Sequence, residues 1–184
     1  GWDGQNPDVQ LAVDIIPTSW LDENRTGSTE DVIVLAPQNE RVGNPVEMRS
    51  MLELVNDFTA RFSVDEDRVY AATFSWGSTL AWAAMAEQPG LFDAALIVSG
   101  FPVSEEQAAI IAGLRTPIWI THATSDPVLP VDFGRGSAET LGAAYAAAGA
   151  TSDEIADLVR FTEYGDDAFA IPDTCLAAPI AFFD

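Results

Sequence analysis

The chain has 184 residues, 48% of them hydrophobic, and sets 29 acidic residues against eight arginines and no lysine, for a net charge of −21. That length and apolar content support one domain with a real core, and they exclude a disordered chain. The charge argues against nucleic acid and anionic membranes as partners. No apolar run approaches the ~20 residues of a membrane helix, and one cysteine (Cys175) with one histidine (His122) leaves neither an internal disulfide nor a metal-ligand spacing.

In chain order, Gly1 to Pro7 is a polar, turn-forming stretch with no signal-peptide character. Asp31 to Pro37 is a continuous apolar run that predicts a buried strand. Pro45 to Phe62 carries Val46, Met51, Leu52, Leu54, Val55, Phe58 and Phe62 at helical spacing, on one broad face. Val69 to Phe74 predicts a second strand, Thr79 to Ala86 a helix stopped near Pro89-Gly90, and Phe92 to Ser99 a third strand. A helix capped by Ser104 runs to Leu114, and Pro117 to His122 is the fourth strand. A helix from Ser137 to Ala148 ends at Gly149, a last strand spans Leu158 to Tyr164, and Pro172 to Phe183 predicts a closing helix. Strands alternate with helices throughout, so the expected fold is a layered α/β domain spanning 1–184 with a mostly parallel sheet and right-handed crossovers.

Ser75 stands in Thr73-Phe74-Ser75-Trp76-Gly77, between a strand and a helix. A serine at such a corner is pushed out above the sheet edge. The free amides and positive end of the following helix then face the same spot and can stabilise an oxyanion. Thr73 replaces the first glycine of the usual Gly-x-Ser-x-Gly and would open the turn slightly. The plainer alternative is that Ser75 simply N-caps the helix.

Five segments carry a family resemblance. Asp67-Arg68-Val69-Tyr70 through Ser75, with Pro89-Gly90-Leu91-Phe92-Asp93-Ala94-Ala95, resembles the elbow region of polyhydroxybutyrate-depolymerase-like and feruloyl-esterase-like α/β hydrolases. Leu35-Ala36-Pro37-Gln38 and Gly1-Trp2-Asp3 through Leu11 are similar to the preceding strand end and loop of that family. Thr116 to Pro130, containing Ser125-Asp126-Pro127, resembles its acid loop. The resemblance implies a three-layer α/β-hydrolase sandwich and an esterase using no cofactor or metal. Its substrate would be a small-molecule or polymeric ester. It also implies Ser75 as nucleophile, the Trp76 backbone N–H as one oxyanion donor, and Asp126 as the acid. Trp76, next to the nucleophile, is a candidate wall of the substrate pocket, with ordinary packing over the elbow as the alternative.

The chain departs from the family in two places. Asp166 of Gly165-Asp166-Asp167 stands where the triad histidine is expected, and a carboxylate is a poor base for a serine hydroxyl. His122, four residues before the acid, reads as a structural histidine at a strand end. The strand bearing the second oxyanion donor would precede Gly1. The resemblance therefore implies a domain incomplete at its N-terminus, with no candidate for that donor and unpaired backbone between the strand at Val32 and the strand at Val69. The leading expectation is a serine esterase, and the alternative is a catalytically silent hydrolase fold that binds a ligand or partner. A carboxylate-only reaction by Asp126 and Asp166 is the third. Acidic composition and resemblance favour an extracellular setting; oligomeric state is not legible.

Overall fold

Strands that are apolar on both faces pair in parallel inside a covered sheet, and each parallel pair needs a crossover long enough to hold a helix. The computed structural model describes residues 32–37 and 45–165 and meets this requirement in sequence order. The elements are α1 (Pro45–Arg61), β1 (Tyr70–Phe74), α2 (Gly77–Glu87), β2 (Ala94–Val98), α3 (Glu105–Leu114), β3 (Ile118–Ala123), α4 (Asp132–Ala147), α5 (Ser152–Leu158) and β4 (Val159–Tyr164). Among the described residues the sheet has four parallel strands in the order β1-β2-β3-β4. Because the order never reverses, right-handed crossovers put the intervening helices on one face.

The core records this arrangement. Every residue of β2 and β3 is buried, whereas β1 and β4 are mixed. Ala95 and Ile97 of β2 and Ile118 and Ile120 of β3 join one cluster with Leu52, Trp82, Met85, Ile111, Leu141 and Tyr145 of the helices. Residues at the alternate positions, Leu96, Val98 and Trp119, are equally buried. Each large apolar side chain withdrawn from water in this way contributes roughly 1.5–3 kcal/mol before entropy is counted. Tyr145 donates its hydroxyl to Thr116 O, and burial pushes its phenol pKa well up. No helix among the described residues is long and apolar enough to cross a membrane.

Expected and observed elements differ in three places. Residues 32–37 are not a strand; Ile33 is 55% exposed, and no described strand pairs with the segment. An apolar run becomes a strand only where a neighbouring backbone offers a ladder, and β1 is the edge strand among the described residues. Helix α4 starts at Asp132, five residues before the expected Ser137. Gly134 and Gly136 lower the helical propensity of that turn, but Gly134 lets it pack closely on His122 and Phe161, and packing prevails. Helix α5 was not expected. Its signal is the capping box Thr151-x-x-Glu154, in which each side chain bonds the other's backbone N–H. The closing helix expected at Pro172 to Phe183 lies outside the described residues.

That box gives a pH-dependent contribution. Hydrogen bonds from the Thr151 backbone and then its hydroxyl, with a smaller effect from Arg115, hold the Glu154 carboxyl below its ordinary pKa of 4.5. A depressed folded-state pKa adds stability above the unfolded value, and that stability is lost as pH falls through the folded value. The effect is modest because the pair is solvent-screened. The melting-temperature gap between wild type and Glu154→Gln should be constant near neutrality and close as pH falls below about 4.5. A gap independent of pH in circular-dichroism melts would contradict the assignment.

Candidate active site

Ser75 follows the last residue of β1 in a left-handed conformation, φ 52°. A non-glycine residue there costs on the order of 1–3 kcal/mol and needs support from its surroundings. The Ser75 N–H donates to Val98 O at 2.9 Å, continuing the ladder past the strand end. Its carbonyl accepts both the Ser78 N–H at 3.0 Å and the Ser78 hydroxyl at 2.7 Å. Helix α2 then begins at Gly77, with Trp76 as its N-cap residue and no side-chain cap bond. The Ser75 hydroxyl therefore does not cap the helix; in the first turn the Ser78 N–H is bonded to Ser75 O and the Thr79 N–H to Trp76 O at 3.1 Å. Thr73 fits the turn without crowding: even a Cβ at residue 77 would lie 3.5 Å from Thr73 Cβ, an ordinary van der Waals contact.

Ser78 does more than brace the turn. Its fully buried Oγ also accepts the Phe101 N–H at 2.8 Å, tying the elbow to the loop after β2. Gly100 makes that approach possible, since a Cβ would stand 2.6 Å from Ile97 Cγ2 and 2.8 Å from Ser78 Cβ. Trp82 Nε1 donates to Phe101 O at 3.0 Å, and Val103 N–H donates to Ser137 Oγ at 3.2 Å. The Phe101 ring, so fixed, lies 4.4 Å from the Trp76 ring, which is 53% exposed. Phe133 continues the row 6.2 Å beyond Phe101. Ser99 sits beside Ser75 across the ladder, also left-handed (φ 44°), with a buried hydroxyl that has no partner among the described residues.

Asp126 lies in the turn beyond β3, on the same edge of the sheet. Adjacent strands are about 4.8 Å apart, so the Ser75 and Asp126 loops leave the sheet roughly 10 Å apart. The Asp126 side chain is 7% exposed. Its Oδ1 accepts the N–H groups of Val128 at 2.8 Å and Leu129 at 2.9 Å. His122, with no exposed side-chain surface, places Nε2 3.1 Å from Leu129 O and 3.5 Å from Asp126 Oδ2. At the next strand, Thr124 donates its N–H to Tyr164 O at 2.9 Å and its hydroxyl to the same oxygen at 3.0 Å. Arg135 of α4 grips Glu163 through Nε at 3.1 Å and Nη2 at 2.8 Å. Hydrogen bonds with Glu163 and then Asp132 raise the Arg135 pKa above its ordinary value.

Ser75, Trp76 and Asp126 thus share the carboxyl edge of the sheet, while Asp166 lies outside the described residues. Sequence reasoning did not single out Ser78, Ser99 or Gly100. Their available signal was a small residue directly after an apolar strand and another at the first turn of the helix.

The phospholipase/carboxylesterase family profile matches residues 31–156 of the chain. Acyl-protein thioesterase 1 of Debaryomyces hansenii is 28% identical over 93 residues, a match covering 49% of this chain and 40% of that protein. A thermostable esterase of known structure superposes with a TM-score of 0.53 at 26% identity, over 74% of this chain and 34% of the esterase. The acyl-protein thioesterase 2 structure from Zea mays gives 0.54 at 18% identity, over 81% of this chain and 71% of its own, and shows the fold alone. The chain therefore spans well under two thirds of the curated relative and of the esterase.

Removing the Ser78 hydroxyl leaves the Ser75 carbonyl short of one donor and the Phe101 N–H without an acceptor. Ser78→Ala should destabilise the fold by about 1–3 kcal/mol in urea unfolding. A change under about 0.5 kcal/mol, the range of ordinary surface substitutions, would show that the bridge carries no weight.

Proposed function

Since the chain belongs to the phospholipase/carboxylesterase family of α/β hydrolases, we propose that it is a serine ester hydrolase acting through an acyl-enzyme on Ser75. The observation that carries this reading is the left-handed Ser75 at the strand-to-helix corner, its hydroxyl unbonded among the described residues, beside a helix start with no side-chain cap. In the proposed reaction Ser75 Oγ attacks the ester carbonyl. The oxyanion takes the Trp76 N–H, the alcohol leaves with a proton, and water releases the acid. Asp126 is the acid. With Oδ1 held by two amides, Oδ2 is the oxygen left to orient a base. The half-exposed Trp76, packed at a tilt against Phe101, is the proposed wall of the substrate site. The substrate is a carboxylic ester, either small or part of a polymer of the depolymerase or feruloyl type; the names of the relatives add thioesters as a class.

The base is assigned to position 166, two residues past β4. A carboxylate there, with an ordinary pKa near 3.9 against about 6.5 for imidazole, makes a slow catalyst. The burial of His122 and its bond to Leu129 O favour a second reading, a silent hydrolase fold that binds without turnover, because no other imidazole exists in the chain.

Intact-mass measurement after fluorophosphonate treatment separates the two readings. The esterase reading expects one adduct on the folded protein and none on Ser75→Ala. Asp166→His should raise the labelling rate on the order of 10²-fold, the scale of general-base catalysis. No adduct on folded protein, with or without Asp166→His, would favour the silent fold.

A further inference from the structure

The lone histidine has a task of its own. Leu129 O can only accept a hydrogen bond, so His122 Nε2, 3.1 Å away, carries a hydrogen. The same atom lies 3.5 Å from Asp126 Oδ2. The other nitrogen, Nδ1, is buried with no partner among the described residues. It faces Gly134 at the start of α4, where a Cβ would stand 3.1 Å from Nδ1 and 3.2 Å from His122 Cβ. The ring is thus wedged between the acid turn and the helix after it, with one polar atom turned to each.

Asp126 shapes its own turn by accepting the Val128 and Leu129 amides. Those bonds are internal to the turn and do not fix it to the sheet. The His122 bond does, since it runs from β3 to the far side of the turn, seven residues on. We propose that His122 is a positioning residue for the acid: its Nε2–H clamps the 126–129 turn to the end of β3 and holds the Asp126 carboxylate with Oδ2 directed to the base. Leu129 O is the main anchor, and the longer approach to Oδ2 sets the carboxylate's rotation. This role rests on the reading of Asp126 as the catalytic acid. The imidazole never meets substrate; it acts through the aspartate.

Glutamine and methionine at position 122 separate donor from shape, because the Gln amide nitrogen reaches the place of Nε2 and the Met methyl fills it without a hydrogen. The expected result on the full chain is that His122→Met lowers kcat for a p-nitrophenyl ester roughly tenfold or more, as small misplacements of catalytic groups do. KM should stay within about twofold while His122→Gln recovers most of the loss, because only the transition state draws on the acid. Equal rates for the Gln and Met variants, both folded, would overturn the clamp. Nitrogen NMR of the wild-type imidazole decides it without any variant. An Nε2–H tautomer with a slowly exchanging proton supports the proposal, and an Nδ1–H tautomer overturns it. Wild-type protein that turns over no ester removes the esterase reading and this role with it, a failure distinct from active protein indifferent to residue 122.

Discussion

Burial of β2 and β3 on both faces is the constraint from which the remaining architecture derives. A backbone group in such a strand has no water to turn to, so each N–H and C=O must find a neighbouring strand. The apolar runs Ala94–Val98 and Ile118–Ala123 meet that demand by pairing in parallel, with β1 and β4 outside them. Parallel pairing forces helical crossovers, and the shared strand direction sends every chain exit to one edge of the sheet. Ser75, Ser99 and the Asp126 turn stand together on that edge because each lies just past the end of one of three neighbouring strands. The chemistry proposed for them inherits its placement from the hydrogen-bond ladder.

The edge is held by polar groups, part-buried at Ser78 and Trp82 and solvent-exposed at Arg135 and Thr124. Ser78 joins the elbow to the Phe101 loop, Trp82 holds that loop from below, and Arg135 with Thr124 pins the end of β4. The bonds of Ser78 and Trp82 each contribute on the order of 1 kcal/mol net, but leaving their partners buried and unpaired costs more. Such a network fixes geometry more effectively than it adds stability. Strained residues such as Ser75 and Ser99 persist where the surroundings over-determine them.

The strands and most helices were legible in the sequence because their signals are local. Apolar runs of fixed length mark buried strands, and Ser104 with Gln107 forms the capping box expected from a serine ahead of a helix. The apolar run at 32–37 misled because a strand is a relation between two segments, and one segment cannot report its partner. The early start of α4 was hidden for another reason. Glycine has low helical propensity, but the small size of Gly134 is what lets the helix approach His122. The Ser75 corner was legible from its motif, but the Ser78 bridge and the Gly100 approach were not. Both depend on residues more than twenty positions apart meeting at the end of β2.

The tilted contact of Trp76 with Phe101 has a use in the laboratory. Of the five tryptophans, Trp76 adjoins the proposed nucleophile and faces solvent, whereas Trp82 and Trp119 are sealed in the core. Indole emission depends on its immediate surroundings, so Trp76 contributes a solvent-sensitive signal that the buried Trp82 and Trp119 do not. An acyl group arriving on Ser75 would change the environment of that ring within one peptide unit of the new bond. The protein carries its own optical reporter at the site, and single-turnover events can be followed with substrates that release no dye.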